Sequence, residues 1–195
     1  SGGASVGGDV NTGGGDFVSR DKIINIGKSL RDEQYHIVQN WDGKSRMRSF
    51  DLSGRDLSGL ALVNADLRGA NLRGANLRNS FLIKADLTDA DLLDKAELPG
   101  VYLTEAKMAR ARLMGANLNF AIMTSAELAE IDLSSASLIY ADLSRAELRG
   151  AKLIDADLHM ANLRDADLTD ADLSGADLYE TEINDGTKLS DKWRL

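Results

Sequence analysis

Ala65-Asp66-Leu67-Arg68-Gly69-Ala70-Asn71-Leu72-Arg73-Gly74-Ala75-Asn76-Leu77 sets one five-residue unit, A-(D/N)-L-x-x, directly after another. The unit recurs about twenty-seven times between Phe50 and Asp185. Leu holds twenty-four of the central positions, and Met108, Met123 and Ile183 hold the rest. Two residues earlier stands Ala in twenty units, with Phe50, Arg55, Leu60, Val101 and Ile131 as the larger exceptions. A period of five scatters around an α-helix, whose turn takes 3.6 residues, and a flat strand needs a period of two. A short strict repeat instead marks a solenoid, in which each unit buries its apolar side only by stacking on its neighbours. A large Leu beside a tiny Ala turns the backbone about a narrow interior, and two consecutive outward residues carry each corner. Lys95 is one residue too many for the register, and the nearby Pro99, which cannot donate to a ladder, suggests a local bulge.

These pentads resemble the pentapeptide-repeat family over about seventy per cent of the chain. The resemblance implies an all-β solenoid, a right-handed quadrilateral β-helix with four pentads per coil. The central Leu and the small residue two before it then point inward, and the other three residues point out. The repeats present make almost seven coils, a rod on the order of 30 Å long at roughly 4.8 Å per coil.

Outside the repeats three segments stand apart. Residues 1–27 are a Gly-rich leader, in which Asp9-Val10, Asp16-Phe17-Val18 and Asp21-Lys22-Ile23 resemble Gly-Asp motifs found beside bacterial signalling modules. Residues 28–49 contain an amphipathic stretch, about 28 to 41, in which Leu30, Gln34, Ile37, Val38 and Trp41 share a helical face. Such a short helix needs a surface to pack on. The unpaired strand edge of the first coil supplies one, so the segment is expected to be a capping helix. Residues 186–195 form a C-terminal tail or cap. Their stretch Lys188 to Leu195 resembles linkers in some cyanobacterial repeat proteins.

Composition narrows the chemistry. There is no cysteine, which excludes thiolate metal sites and cysteine nucleophiles. His36 and His159 have no metal-spaced partners. Gly13, Gly14 and Gly15 lack the Lys-Ser/Thr of a phosphate loop. The Asp and Asn before each Leu recur as a structural feature, because short polar side chains bond to nearby backbone at turns. We therefore expect no enzyme activity, no metal or cofactor and no small-molecule ligand. No apolar run is long enough to span a bilayer, so no membrane partner is expected, and a cytoplasmic bacterial protein is the default.

Charge is unevenly distributed. The chain carries a formal net charge of −8. From Lys44 to Lys84 eight Lys/Arg face three Asp/Glu, whereas from Asp155 to Asp185 ten Asp/Glu face one Arg. Stacked in order, the repeats give a basic front and an acidic rear. Arg68, Arg73 and Arg78 recur every five residues and so fall on three different faces, which does not make a groove for a phosphate backbone. No nucleic acid is expected.

The outward residues point to a function. Four pentads per turn place Val63, Phe81, Ile83, Tyr102 and Ile122 on one face, if Lys95 is absorbed as a bulge. Phe120, Tyr140 and Met160 come at the adjoining corner, with Ile139, His159 and Tyr179 beside them. Leu93, Met114 and Ile154 are expected as isolated outward hydrophobes elsewhere. A continuous apolar strip on a rod marks an interface with a protein partner or a second copy. The expected function is thus a non-catalytic protein-interaction or self-assembly module. The resemblance also implies an alternative, since some family members occupy the DNA site of gyrase as acidic DNA-mimic rods. Asp155, Asp157, Asp165, Asp167, Asp170, Asp172 and Asp177 would form that acidic surface.

Overall fold

The structure, a computed structural model, describes residues 30–44, 46–190 and 193. The expectations for the leader, residues 1–27, lie outside the described residues. Helix α1 (Leu30–Gln39) comes first, and a β-helix follows with four sides. Its sides are ladders of single parallel bridges through the residue before each central Leu. The first side runs from Asp51 through Asn71 and Asp91 to Asp172, and the second from Asp56 to Asp177. The third runs from Ala61 through Phe81, Tyr102 and Ile122 to Glu182. The fourth runs from Asp66 to β1 (Asp167–Leu168), which pairs in parallel with β2 (Lys188–Leu189).

One unit shows how the coil closes. Asn71 N–H donates to Phe50 O in the coil before (2.8 Å). Leu72 N–H and Gly74 N–H donate to Asp91 O (2.7 Å) and Leu93 O (2.9 Å) in the coil after. Ala75 N–H turns back to Leu72 O (3.0 Å). The Arg73 N–H, unused by the backbone, is taken by the Asn71 side chain. This explains the Asp/Asn preference before Leu: the side chain accepts the one N–H the ladder leaves over, as Asp132 does from Ser134 (3.1 Å) and Asp142 from Ser144 (2.9 Å). The residue that ends each pentad but the last takes a left-handed conformation, with φ of 62° at Gly69 and 61° at Gly74, which favours Gly. The stacked Leu and Ala positions form one continuous interior, Leu52 to Leu173, shielded from solvent.

The structure keeps the register slip at Lys95 but gives Pro99 a different role from the one expected. Asp94 and Lys95 both adopt positive φ, so the extra residue widens a corner, and the bridges resume at Asn76 with Glu97 and Phe81 with Tyr102. Pro99 is not part of any bulge. It occupies the position after the central Leu98, whose N–H the ladder does not use, while its carbonyl accepts from Asn79 N–H (3.1 Å).

Inward stacking also starts earlier than the legible repeats, while at the rear only the fourth side continues it. Leu178 and Ile183, central in the last two pentads and expected inward, are exposed because no coil stacks on them. Met47 is buried and its N–H donates to Asp66 O (2.9 Å), one pentad before Phe50. Leu189 pairs opposite Leu168, and the Trp193 Nε1–H donates to Ala171 O (3.2 Å). At the front end α1 packs on the first coil. Gln34 Oε1 accepts from the Asp51 N–H (2.8 Å), and the Tyr35 hydroxyl donates to Asp56 O (2.8 Å). Phe50, Arg55 and Leu60, the bulky residues at the usual Ala site, lie where no earlier full coil stacks on them. Arg55 pairs with Asp32 and its guanidinium lies 4.8 Å over the Tyr35 ring. Val38 is buried, and Tyr35, Ile37 and Trp41 pack beside it. Leu30, expected on the packed face, is exposed instead, because the helix meets the coil through Tyr35.

Candidate protein-interaction surface

Every outward hydrophobe singled out from sequence can be placed on this frame. Phe81, Tyr102 and Ile122 are consecutive bridge residues of the third side, above Ala61. Val63 and Ile83 stand on the same side, one residue past their central Leu. Phe120, Tyr140 and Met160 occupy the corner between the second and third sides, and Ile139, His159 and Tyr179 stand on the second side just before it. The residues form an oblique strip that crosses the corner as it climbs the rod.

Rings stack along the strip. Phe81 lies on Tyr102 with centroids 4.7 Å apart, Phe120 on Tyr140 at 5.2 Å, and His159 on Tyr179 at 5.0 Å, all nearly parallel. The coil spacing imposes this geometry, since residues in one column repeat at the distance of neighbouring strands. Phe120 and Tyr179 are the most exposed, at 60% and 61%, with Tyr140 at 49%. Tyr102, Ile122 and Ile139 are half-buried. Asn119, which the sequence reading passed over, braces the middle: its Oδ1 accepts from the Ile139 N–H (2.9 Å) and the Ser137 hydroxyl (2.6 Å).

Two local costs accompany these side chains. Phe120, Tyr140 and Met160 sit at left-handed corners, with φ of 60°, 59° and 56°, where a bulky residue is disfavoured by roughly 1–2 kcal/mol. Phe81, Tyr102 and Ile122 stand where Asp or Asn would accept the spare N–H. Among the described residues no side chain accepts from Ile83, Thr104 or Thr124 N–H. Leu93, expected outward and isolated, is buried. It stands in one column between the long side chains of Arg73 and Met114, and Arg73 reaches along it to Asp91 and Asp94.

The acidic residues do not gather. Asp155 and Asp172 belong to the first side or its corner, Asp157 and Asp177 to the second, Asp165 to the corner after the third, and Asp167 and Asp170 to the fourth. Several have structural roles. The Thr169 hydroxyl leads in holding the Asp167 carboxyl below its ordinary value, against burial, with the Thr169 N–H and the Lys188 ammonium assisting. On the third side, burial pushes Asp142 up, but hydrogen bonds from Ser144, Thr124 and Asn162 prevail and lower it. Among the described residues there is no cluster of His, Cys, Asp or Glu able to hold a metal ion, and no helix long and apolar enough to cross a membrane.

Comparison with known proteins agrees with the repeat. No curated protein matches the chain significantly. Among solved structures it is similar to QnrB1, a plasmid-mediated fluoroquinolone resistance protein, at 20% identity over 71% of this chain and 81% of that one, with a TM-score of 0.48. It is also similar to HetL, a pentapeptide repeat protein involved in heterocyst differentiation regulation from Nostoc sp. strain PCC 7120. That match has 29% identity over 70% of this chain and 86% of HetL, with a TM-score of 0.26. A pentapeptide repeat protein of the Arabidopsis thaliana thylakoid lumen matches at 24% identity over 77% of this chain and 74% of its own, with a TM-score of 0.17. The family described as pentapeptide repeats matches in eight copies over residues 56–94, 92–119, 126–165 and 146–185, more than half of the chain. The chain belongs to the pentapeptide-repeat family, whose members fold as right-handed quadrilateral β-helices.

Proposed function

We propose that the chain is a non-catalytic protein-interaction module whose contact surface is the oblique apolar strip. The observation that carries this reading is the pair of exposed rings of Phe120 and Tyr140, stacked on one another in one strip with the pairs Phe81–Tyr102 and His159–Tyr179. Left-handed corners recur throughout the rod and elsewhere, Met160 apart, hold Gly or polar residues, whereas Phe120 and Tyr140 set large exposed rings there. Strain and exposure coinciding at a surface point to a role outside the chain's own stability. The acidic-rod alternative has weaker support, because its carboxylates are spread over all four sides and Asp167 is engaged by Thr169 and Lys188.

The test is a double substitution, Phe120→Asp with Tyr140→Asp. Both side chains are exposed, so melting is expected to stay within a few degrees of the parent. In an extract of the producing cell, the parent is expected to elute in a complex larger than its monomer and the double variant as the monomer. Equal elution of the two would contradict the reading. Inhibition of gyrase supercoiling that survives the double substitution would favour the acidic rod instead.

A further inference from the structure

We propose that the strip joins two copies of this chain about a two-fold axis, with the second rod reversed along the first. The inference rests on the interaction-module reading and names its partner. Spacing supplies the first argument. Phe81, Phe120 and His159 are evenly spaced in sequence, and each begins a stacked pair. Phe120–Tyr140 is the middle pair, with Phe81–Tyr102 toward the front and His159–Tyr179 toward the rear. A two-fold axis across the middle pair therefore sets every aromatic pair of one copy on an aromatic pair of the other. The strip rises five coils from Phe81 to Tyr179, about 24 Å at roughly 4.8 Å per coil, which suits the apolar centre of a modest interface with a polar rim.

Charge supplies the second argument and fixes the direction. Beside the front of the strip stand Arg78 and Lys84, and beside its rear Asp157, Asp177 and Glu180. Lys84 is paired with Glu105 in its own chain (3.3 Å). Among the described residues no carboxylate pairs with Arg78, and no cation pairs with Asp157, Asp177 or Glu180. A reversed copy carries Arg78 toward the other copy's acidic flank. A copy lying in the same direction sets cation beside cation and anion beside anion, which opposes association. A rival arrangement meets an obstacle at the front of the rod. Head-to-tail stacking would put the rear of one rod on the front of another, but α1 already covers part of that front through Gln34, Tyr35 and Val38. The lateral strip remains, and an isologous contact there closes at two copies.

The experiment uses the purified full chain. Sedimentation velocity across concentration is expected to show a monomer–dimer equilibrium that weakens as salt rises and is lost in Phe120→Asp, whose unchanged melting excludes unfolding as the cause. The chain has no cysteine, so single cysteines report geometry without background. Phe120→Cys, near the axis, is expected to form a disulfide-linked dimer with itself. Arg78→Cys and Asp157→Cys are expected to link to one another when mixed, and neither to itself. A strict monomer at every concentration, a dimer indifferent to Phe120→Asp, or self-linked Arg78→Cys would each overturn the proposal. A purified monomer whose complex in cell extract still depends on Phe120 and Tyr140 would remove the second copy as partner and leave the interaction module standing.

Discussion

At each corner the backbone is left-handed, and the residue there trades the freedom of glycine against the reach of a side chain. Phe120→Gly is expected to stabilise the monomer by up to about 1 kcal/mol in urea titration by releasing that strain, while weakening association. The interior behaves oppositely. Leu118, buried in the coil beneath Phe120, is expected to cost roughly 2–5 kcal/mol on truncation to Ala in the same titration. Interior positions from Leu52 to Leu173 were legible in sequence because a period of five, slipped once at Lys95, repeats the inward pair. Leu178 and Ile183 read as inward by the same period but are exposed, with no later coil stacked on them. Exposure of single outward residues was less so. Leu93 reads as outward by its place in the pentad, yet the side chains stacked before and after it in its column, Arg73 and Met114, belong to other coils.

Among the elements, α1 and the ladders answer to different forces. The helix closes part of the front edge by side chains, so Gln34→Ala is expected to cost about 1 kcal/mol by leaving the Asp51 N–H without its acceptor, measured by thermal unfolding. The amphipathic period announced the helix but not its docking face, since Tyr35 finds Asp56 O only once the first coil exists. In the ladders, Asp167 and Asp142 are held below the ordinary carboxylate value, so the folded state binds protons less readily than the unfolded chain. Their contribution is complete above about pH 4 and disappears as pH falls through their lowered folded values. Melting temperature is therefore expected to be level from neutral pH to about 5 and to fall below about 4. Thr169→Ala should lower the melting temperature at neutral pH and make that acid fall shallower, because it raises Asp167 toward its ordinary value and removes its contribution. Pro99 belongs to this scale too. The rule that proline interrupts a ladder misjudged it, because one N–H in five lies outside the ladder and proline fits there.

Over the whole molecule, the strip exists only when coils are superposed. Its residues are scattered from Val63 to Tyr179, and a turn of twenty residues, lengthened by one across Lys95, brings them into neighbouring columns. The resemblance to the repeat family implied that turn length, so the strip was legible. Its ring stacking was not, because the coil spacing that creates it is a property of the backbone. The polarity of charge was likewise legible as front and rear, while the spread of the acids over four sides appeared only with the folded rod. The most direct measurement is a photo-crosslinking scan around one turn in the producing cell, with the reactive residue placed in turn at Met114, Phe120 and Glu130. Met114 is an exposed hydrophobe on the first side and Glu130 an exposed charge at the corner after the fourth. The expected result is a discrete protein adduct at Phe120 and none at the other two. Adducts at all three positions, or none at Phe120, would contradict the claim that the strip is where this rod meets its partner.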